Sequence, residues 1–505
     1  MKILSAEQFK AADAYTIQHN PITSIALMER AATRCYEWIF RHFPTTIPVM
    51  LFCGTGNNGG DGLALTRLLH ENGYSISLYV AHAGHKASDD FIQNQKRLLK
   101  QEKTRQHDIN TTDDIPKIPD NTLVIDALFG TGLNKSVGGL IAEVIHRINN
   151  SKATVIAIDM PSGLFADKTS LTADNSIVRA HHTLSFQLPK LAFMMPENEP
   201  YVGQFHLLDI GLNSDFIANA DTNYSITTAE EIRHILKPRS PFSHKGTYGH
   251  AAILAGSYGK MGAAVLAAKS CLASGAGLLT VHIPRCGYDI MQTALPEAMV
   301  ITDDEEHHLS TPFELKSYSA VAIGPGIGTA QGPASVLHHV VRHYHGAMVI
   351  DADAINTLGE NAGWVELLPK GCILTPHPKE FERLCGKTKN NFERLKLQQQ
   401  YSTKHGIYIV LKGHYTSISC PDGHIYFNPT GNAGMAKGGN GDVLTGIITA
   451  LLAQSYKPHD AALAGTYLHG LAGDIAVQRT GEWSMLGTDL INSIGDAIAA
   501  AMRVE

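Results

Sequence analysis

Short apolar runs and amphipathic stretches alternate along most of the chain. In the first half Val49–Cys53, Ile76–Val80, Leu123–Leu128 and Thr154–Asp159 read as buried strands. Leu63–Asn72, Asp89–Gln101 and Leu140–Asn149 carry helical periodicity between them. The second half continues in the same style with Ala251–Gly256, Leu278–Ile283, Ala320–Gly324, Met348–Asp351 and Ile407–Leu411. Nearly continuous apolar strands separated by helices predict parallel sheets covered on both faces, an α/β fold class. Thr416–Phe427 reads as a hairpin turning at Pro421-Asp422-Gly423. After the strand-like Phe205–Ile210, the polar and aperiodic Asn213–Asn223 predicts a boundary, giving domains over residues 1–220 and 221–505.

Length supports that division, because 505 residues exceed what one core organises. Hydrophobic residues at 44% and charged residues at 17% are ordinary for a globular chain. A net charge of −6 without a long basic run argues against nucleic acid as a partner. Seven scattered cysteines, with no Cys-x-x-Cys, predict neither zinc site nor disulfide framework and suit a reducing cytoplasm. The N-terminus turns polar too early for a signal peptide, and no apolar run approaches the ~20 residues of a membrane span. A cytoplasmic location without a membrane partner is therefore expected.

The chemistry concentrates in glycine-rich loops. Gly431 to Asp442 reads Gly-Asn-Ala-Gly-Met-Ala-Lys-Gly-Gly-Asn-Gly-Asp and runs into the apolar Val443–Leu452. A glycine-dense loop opening a helix aims backbone N–H groups and the positive end of the helix dipole at one spot, an anion site. Asp442 at that mouth is placed to take a proton from a hydroxyl attacking a phosphoryl group. Its alternative is a carboxylate that merely caps the helix.

Cys53 to Gly62 (Cys-Gly-Thr-Gly-Asn-Asn-Gly-Gly-Asp-Gly) also follows a strand and opens a helix. It satisfies the dinucleotide fingerprint, yet the acidic residue expected about 20 positions later is missing, which disfavours an ordinary dehydrogenase. Acids recur instead at strand ends, with Asp126 before Gly130-Thr131-Gly132-Leu133 and Asp159 before Ser162. Three such ends would converge on one crevice, where amide and carboxylate oxygens could hold a hard monovalent cation. These residues, with Ala180–Phe186, Lys190 and Asp209–Leu212, resemble the NAD(P)H-hydrate epimerase domain over about residues 1–215. The resemblance implies potassium held by Asn58, Asp126 and Ser162. It implies a hydrate site lined by Asn57, Asn58, Gly59, Gly60, Asp61, by Gly130, Thr131, Gly132, Leu133, Asn134, Lys135, Ser136, and by a catalytic Asp159. Ser170 stands where that family usually has glycine, which predicts a local change of loop.

In the second half, Gly324–Gly328, Asp351–Ala354, Thr375–Glu380 and Lys412–Thr416 are polar or glycine-rich strand ends. No phosphate-binding loop of the Walker type occurs, since Gly386-Lys387-Thr388 lacks its upstream glycine. His338, His339, His343 and His345 read as a solvated helix face, their spacing scattering them around the helix. Pro378 is expected to break any metal-binding helix through His377. Taken in order, these segments resemble the ADP-dependent NAD(P)H-hydrate dehydratase domain, of ribokinase-like fold, over about residues 225–503. The resemblance implies hydrate contacts from Ala263, Gly326, His377 and Asp442, and adenine-nucleotide contacts from Lys412, Gly413, His414, Tyr415, Thr416 and Gly441. Asn440 stands where relatives carry threonine or serine; its amide can still donate a hydrogen bond.

The combined resemblance is to a nicotinamide-nucleotide repair enzyme. It implies epimerisation of R and S hydrates in the first domain and dehydration of the S form in the second, at the expense of ADP. It further implies K+ in the first domain, Mg2+ in the second, and a homo-oligomer such as a tetramer. Two rivals stand beside it. A small-molecule kinase of the same fold would share the Asp442 loop but not the epimerase-like half. A non-catalytic scaffold would share the first fold but would not need Asn58, Asp126 and Asp159 intact.

Overall fold

The computed structural model describes residues 1–82, 84, 86–100 and 106–503. Gln101, the expected end of one helix, and Val504 and Glu505, the expected end of the second domain, lie outside these. The contacts divide the chain into two compact units, Lys2–Thr222 and one beginning at Asn223.

In the first unit the strands are β1 (Val49–Cys53), β2 (Ile76–Ala81), β3 (Gln106–Ile109), β4 (Leu123–Ala127), β5 (Thr154–Ile158), β6 (His182–Phe186) and β7 (Gln204–Leu208). They form one parallel sheet in the order β3-β2-β1-β4-β5-β6-β7, with Val49 opposite both Ile76 and Leu123. Every residue of β1 and β4 is buried, because helices cover both faces and leave no polar side for alternation. One face packs Leu51, Leu65 and Leu78 with the helix Ser24–His42, the other Phe52, Val124 and Ile145. The order reverses between β1 and β4, and in a doubly wound sheet that is where the strand ends open a crevice.

The expected strands stand where the apolar runs lie, with ends shifted by one or two residues. Two expectations fail. The helix after β1 spans Asn57–Glu71, six residues earlier than the periodicity from Leu63 suggested, so most of the glycine loop is the first helical turns. Glycine is a poor helix former, but here it admits the loop backbone: a Cβ on Gly59 would lie 1.8 Å from the Gly54 carbonyl oxygen. The boundary stretch is also not featureless. It holds the helix Ser214–Asn219, capped by Asn213, with Phe216 and Ile217 packed against Leu4 and Phe9.

The second unit contributes β8 (Tyr224–Ile226), β9 (His250–Leu254), β10 (Leu278–Ile283), β11 (Met299–Thr302), β12 (Ala320–Ile323), β13 (Ala347–Ile350), β14 (Ile373–Leu374), β15 (Tyr408–Leu411), β16 (Ser417–Ser419) and β17 (Ile425–Phe427). Their order is β11-β10-β9-β12-β13-β14-β15-β16-β17-β8, parallel except where β16 pairs antiparallel with β15 and β17. This is again a largely parallel α/β sheet, with its own reversal between β9 and β12. The expected hairpin is β16–β17. The apolar helix Asn440–Ala453 is buried from Val443 to Ala453, as a helix hydrophobic on all sides must be. It lies against the helix Met261–Ala273, where a Cβ on Gly446 would meet Ser270 Oγ at 2.0 Å.

No helix runs through His377, as expected: it is the N-cap of the helix Pro378–Cys385, whose first turn suits Pro378 because the missing N–H has no partner there anyway. His338, His339 and His343 ride the helix Gln331–His343. They are less scattered than expected, because the rings of His339 and His343 lie 4.4 Å apart one turn along. Among the described residues no group of three His, Cys, Asp or Glu side chains could hold a metal, and no helix is long and apolar enough to cross a membrane.

Candidate functional sites

In the first unit the ends of β1, β4 and β5 are neighbours, and their polar residues meet. Asp159 follows β5 with φ of +63°, a left-handed conformation that a non-glycine residue adopts only when its surroundings fix it. One carboxylate oxygen takes hydrogen bonds from the Thr131 backbone N–H (2.9 Å) and hydroxyl (2.5 Å). The other lies 2.7 Å from Lys190 Nζ, whose side chain is 1% exposed and which also donates to Ser185 Oγ. Burial pushes the Asp159 carboxyl up, but Lys190 and the Thr131 donors outweigh it and hold it below its ordinary value. Gly130 is required beside it, because a Cβ there would lie 2.9 Å from Asp159 Oδ2.

Asp61 and Asp13 lie on the same crevice with the opposite tendency. Burial, then the negative charges of Asp159 and Asp13, raise Asp61 well above the carboxylate range. Burial and then Asp159 raise Asp13 to about 6. Asp13 stands one helical turn after Phe9, whose ring centroid is 4.4 Å from Lys190 Nζ. Carboxylates pushed apart in this way divide acid from base roles.

Deeper in the crevice, Asp126 is fully buried. It accepts from Ser162 Oγ (2.6 Å), Ser162 N (2.8 Å) and Leu128 N (3.1 Å). Asn58 donates its amide to the Ile158 carbonyl at 3.2 Å, while its Oδ1 is buried with no hydrogen-bond partner. Of the other expected residues, Asn57, Gly59, Gly60 and Asp61 form the first turns of the helix beside this crevice. Gly132, Asn134, Lys135 and Ser136 lie on the exposed outer part of their loop, where Lys168 Nζ donates to Asn134 O. Leu133 is half-buried, its N–H bonded to Gly130 O.

In the second unit the ends of β12 to β15 converge on the mouth of the helix Asn440–Ala453. Gly439, with φ of +95°, turns the chain into that helix, a conformation only glycine adopts freely. Asp442 lies in its first turn. Burial, then Asp351, Asp353 and Glu380 against Lys412, raise its carboxyl to about 7. Lys412 Nζ lies 2.9 Å from Asp351 Oδ1, 4.0 Å from Glu380 Oε2, and 3.4 Å from where a Cβ on Gly441 would be. His377 caps its helix through Nδ1 and lies 3.2 Å from Glu380 through Nε2. Gly326 and Ala263 face each other, a Cβ on Gly326 falling 3.1 Å from the Ala263 methyl. Next to them a cavity of about 340 Å³ opens under Tyr258, Met261, Gly262 and Ile290. Thr416 ties its loop by accepting from Gly413 N at 3.2 Å, with the His414 and Tyr415 rings edge to face.

Asn440 donates within the loop, to Met435 O at 2.9 Å, and its Oδ1 is left without a partner. Its backbone oxygen lies 2.8 Å from the Nε2 of His469, whose ring burial holds at about 4, hence neutral. Sequence reasoning assigned no role to Lys190, Asp13, Asp351, Thr445 or His469. Two of them left a signal: Lys190 was among the residues that carry the first-half resemblance, and Asp351 stood in a polar cluster at a strand end.

Known families match both units. A family model described as NAD(P)H-hydrate dehydratase matches residues 251–495, and one described as YjeF-related protein N-terminus matches residues 24–192. A bifunctional NAD(P)H-hydrate repair enzyme of Moorella thermoacetica is 35% identical over 97% of this chain and 96% of its own. One of Escherichia coli is 33% identical over 94% of this chain and 89% of its own. A crystal structure of an ADP/ATP-dependent NAD(P)H-hydrate dehydratase from Bacillus subtilis, co-crystallised with ATP and Mg2+, is 31% identical. It covers 56% of this chain and 100% of its own, with a TM-score of 0.49. Similarity of this extent along nearly the whole length means that the chain belongs to the family of bifunctional NAD(P)H-hydrate repair enzymes.

Proposed function

We propose that residues 1–220 interconvert the R and S hydrates of NAD(P)H and that residues 221–505 dehydrate the S form, converting ADP to AMP and phosphate. The observation that carries the second half is Asp442, a carboxylate poised near neutrality in the first turn of a helix whose glycine loop presents an anion site. Water is a poor leaving group and phosphate a good one. Asp442 takes the proton of the ring hydroxyl as its oxygen attacks the terminal phosphoryl group of ADP, and AMP departs. Phosphate then leaves with that oxygen, a proton is lost from the neighbouring ring carbon, and the double bond returns. The helix mouth stabilises the charge on the transferring group. Lys412, Gly413, His414, Tyr415, Thr416 and Gly441 hold the nucleotide, and Ala263, Gly326 and His377 hold the hydrate. Mg2+ arrives with the nucleotide, screening its phosphates, as Mg2+ commonly binds through phosphate oxygens and water.

In the first half, Asp159 with Lys190 and Thr131 forms a fixed ionised acceptor over the bound ring, faced by Asp61. K+ fits the oxygens of Asn58, Asp126 and Ser162. Asn58 Oδ1 is a buried acceptor with its hydrogen bonds unmade, the kind of group a hard cation satisfies. When bound, the ion supplies positive charge for phosphate or hydroxyl oxygens of the hydrate.

The test is NADH hydrate presented to the full chain, followed by the return of nicotinamide absorbance. Recovery requires ADP and Mg2+ and leaves AMP and free phosphate. A stable phosphorylated product without reduced cofactor would instead identify a kinase.

A further inference from the structure

Asp442 cannot act as a base at neutral pH if a neighbouring cation holds it as a low-pKa ion pair, and Lys412 is the cation whose charge reaches it. Asp351 keeps them apart. Asp351, 1% exposed at the end of β13, uses both carboxylate oxygens: Oδ1 lies 2.9 Å from Lys412 Nζ, and Oδ2 accepts from Thr445 Oγ1 at 2.7 Å. Thr445 is fully buried and lies three residues after Asp442, on the same face of the same helix. One buried carboxylate therefore fixes both the ammonium and the helix that carries the base.

We propose that Asp351 is the positioning residue of the dehydratase site: by anchoring Lys412 and Thr445 together it commits the ammonium to itself and leaves Asp442 free to accept the substrate proton. The proposal rests on the reading of Asp442 as that base. Nucleotide binding gains as well, because a lysine held at 3.4 Å from the Gly441 Cβ position presents its charge at the phosphate loop without closing on Asp442.

The groups around Asp442 agree in direction. Asp351 and Asp353 face it from the end of β13 and the helix beginning at Ala352, and Glu380 from the helix Pro378–Cys385 with His377 as its cap. Lys412 faces it from the end of β15. Lys260 pairs with Asp353 at 3.4 Å, and the neutral His469 is held at the loop backbone. Asp351 is the leading charge among those that raise Asp442, after burial itself. Asp353 adds to the same field but bonds to Gly328 N and touches neither Lys412 nor Thr445 in these hydrogen bonds. It therefore separates a general charge effect from the bridge.

The experiment is the pH dependence of the dehydratase rate of the full chain, at saturating S-hydrate, ADP and Mg2+. In Asp351→Asn, Lys412 is released toward Asp442 and a like charge is lost, so the acid limb moves down by about one unit or more. The plateau falls as the base weakens. Thr445→Val, which removes only one arm of the bridge, moves the limb the same way by less, and Thr445→Ser restores it. Asp353→Asn moves it less than Asp351→Asn. An Asp442→Asn enzyme at full rate would sink the base assignment and the proposal with it. An inactive Asp442→Asn enzyme, with unmoved limbs in Asp351→Asn and Thr445→Val, would sink the proposal alone. Should Asp351→Asn fail to fold, the limb of Thr445→Val decides.

Discussion

Lys190 Nζ sits 2.7 Å from Asp159 Oδ1, with the lysine side chain 1% and the aspartate side chain 10% exposed. Removing one partner of such a pair leaves a buried charge uncompensated, at a cost of about 3–5 kcal/mol. Lys190→Met should therefore lower the unfolding free energy of the first unit by that order and abolish epimerisation, while dehydratase activity on pure S-hydrate persists. Chemical denaturation with parallel assays of both activities checks this. The pair holds Asp159 below its ordinary value, so its contribution is complete above the unfolded pKa of about 4 and is lost only as pH falls through the lower folded value. In the variant burial of Asp159 is no longer offset, so its carboxyl rises and the cost of the mutation should grow with pH between 5 and 8.

Asp442 has the opposite sign. With its folded pKa raised to about 7, it costs stability that grows as pH rises from the unfolded value of about 4 to the folded one. Asp442→Asn should thus lose about 10²–10⁴ in dehydratase rate, yet melt higher than the native protein at pH 8. That gain should shrink toward zero at pH 4. In the native enzyme the rate should rise with pH through about neutrality, and epimerisation should be unaffected in the variant. Calorimetry at the two pH values, beside the rate, decides whether function is maintained here against stability.

Potassium should stabilise the first unit in proportion to its binding. At a hundredfold excess over Kd the gain is about 2.7 kcal/mol. Titration of KCl against choline chloride at constant ionic strength should raise the melting temperature in the native protein. Asn58→Leu, which deletes the orphaned oxygen, should abolish that response. Equal melting in both salts would remove the cation from this site.

Many strands were legible because buried parallel strands must be continuously apolar, and β1 and β10 match their apolar runs residue for residue; β3, β6, β8, β11 and β14, short or mixed with polar residues, were not. Helix starts inside glycine loops were not legible. Asn57–Gly62 looks like a loop by propensity, and only the close approach of Gly59 to Gly54 explains why it is helical. The helix Ser214–Asn219 is too short for periodicity to reveal. Asp126, Asp159 and Asp442 were found because each closes a strand or opens a helix beside glycine. Asp351 stood in a polar cluster without a role, since its partners Lys412 and Thr445 lie 61 and 94 residues away and no local pattern encodes that meeting.

The central claim is a division of labour within one chain. The measurement is the recovery of absorbance from an equal mixture of R and S NADH hydrates with ADP and Mg2+, in the native protein and in Asp159→Asn. The native protein should restore the whole mixture in one fast course. The variant should restore the S portion at the native rate and then lag at the slow spontaneous epimerisation of the remainder. Fast recovery of both epimers by Asp159→Asn would contradict the account.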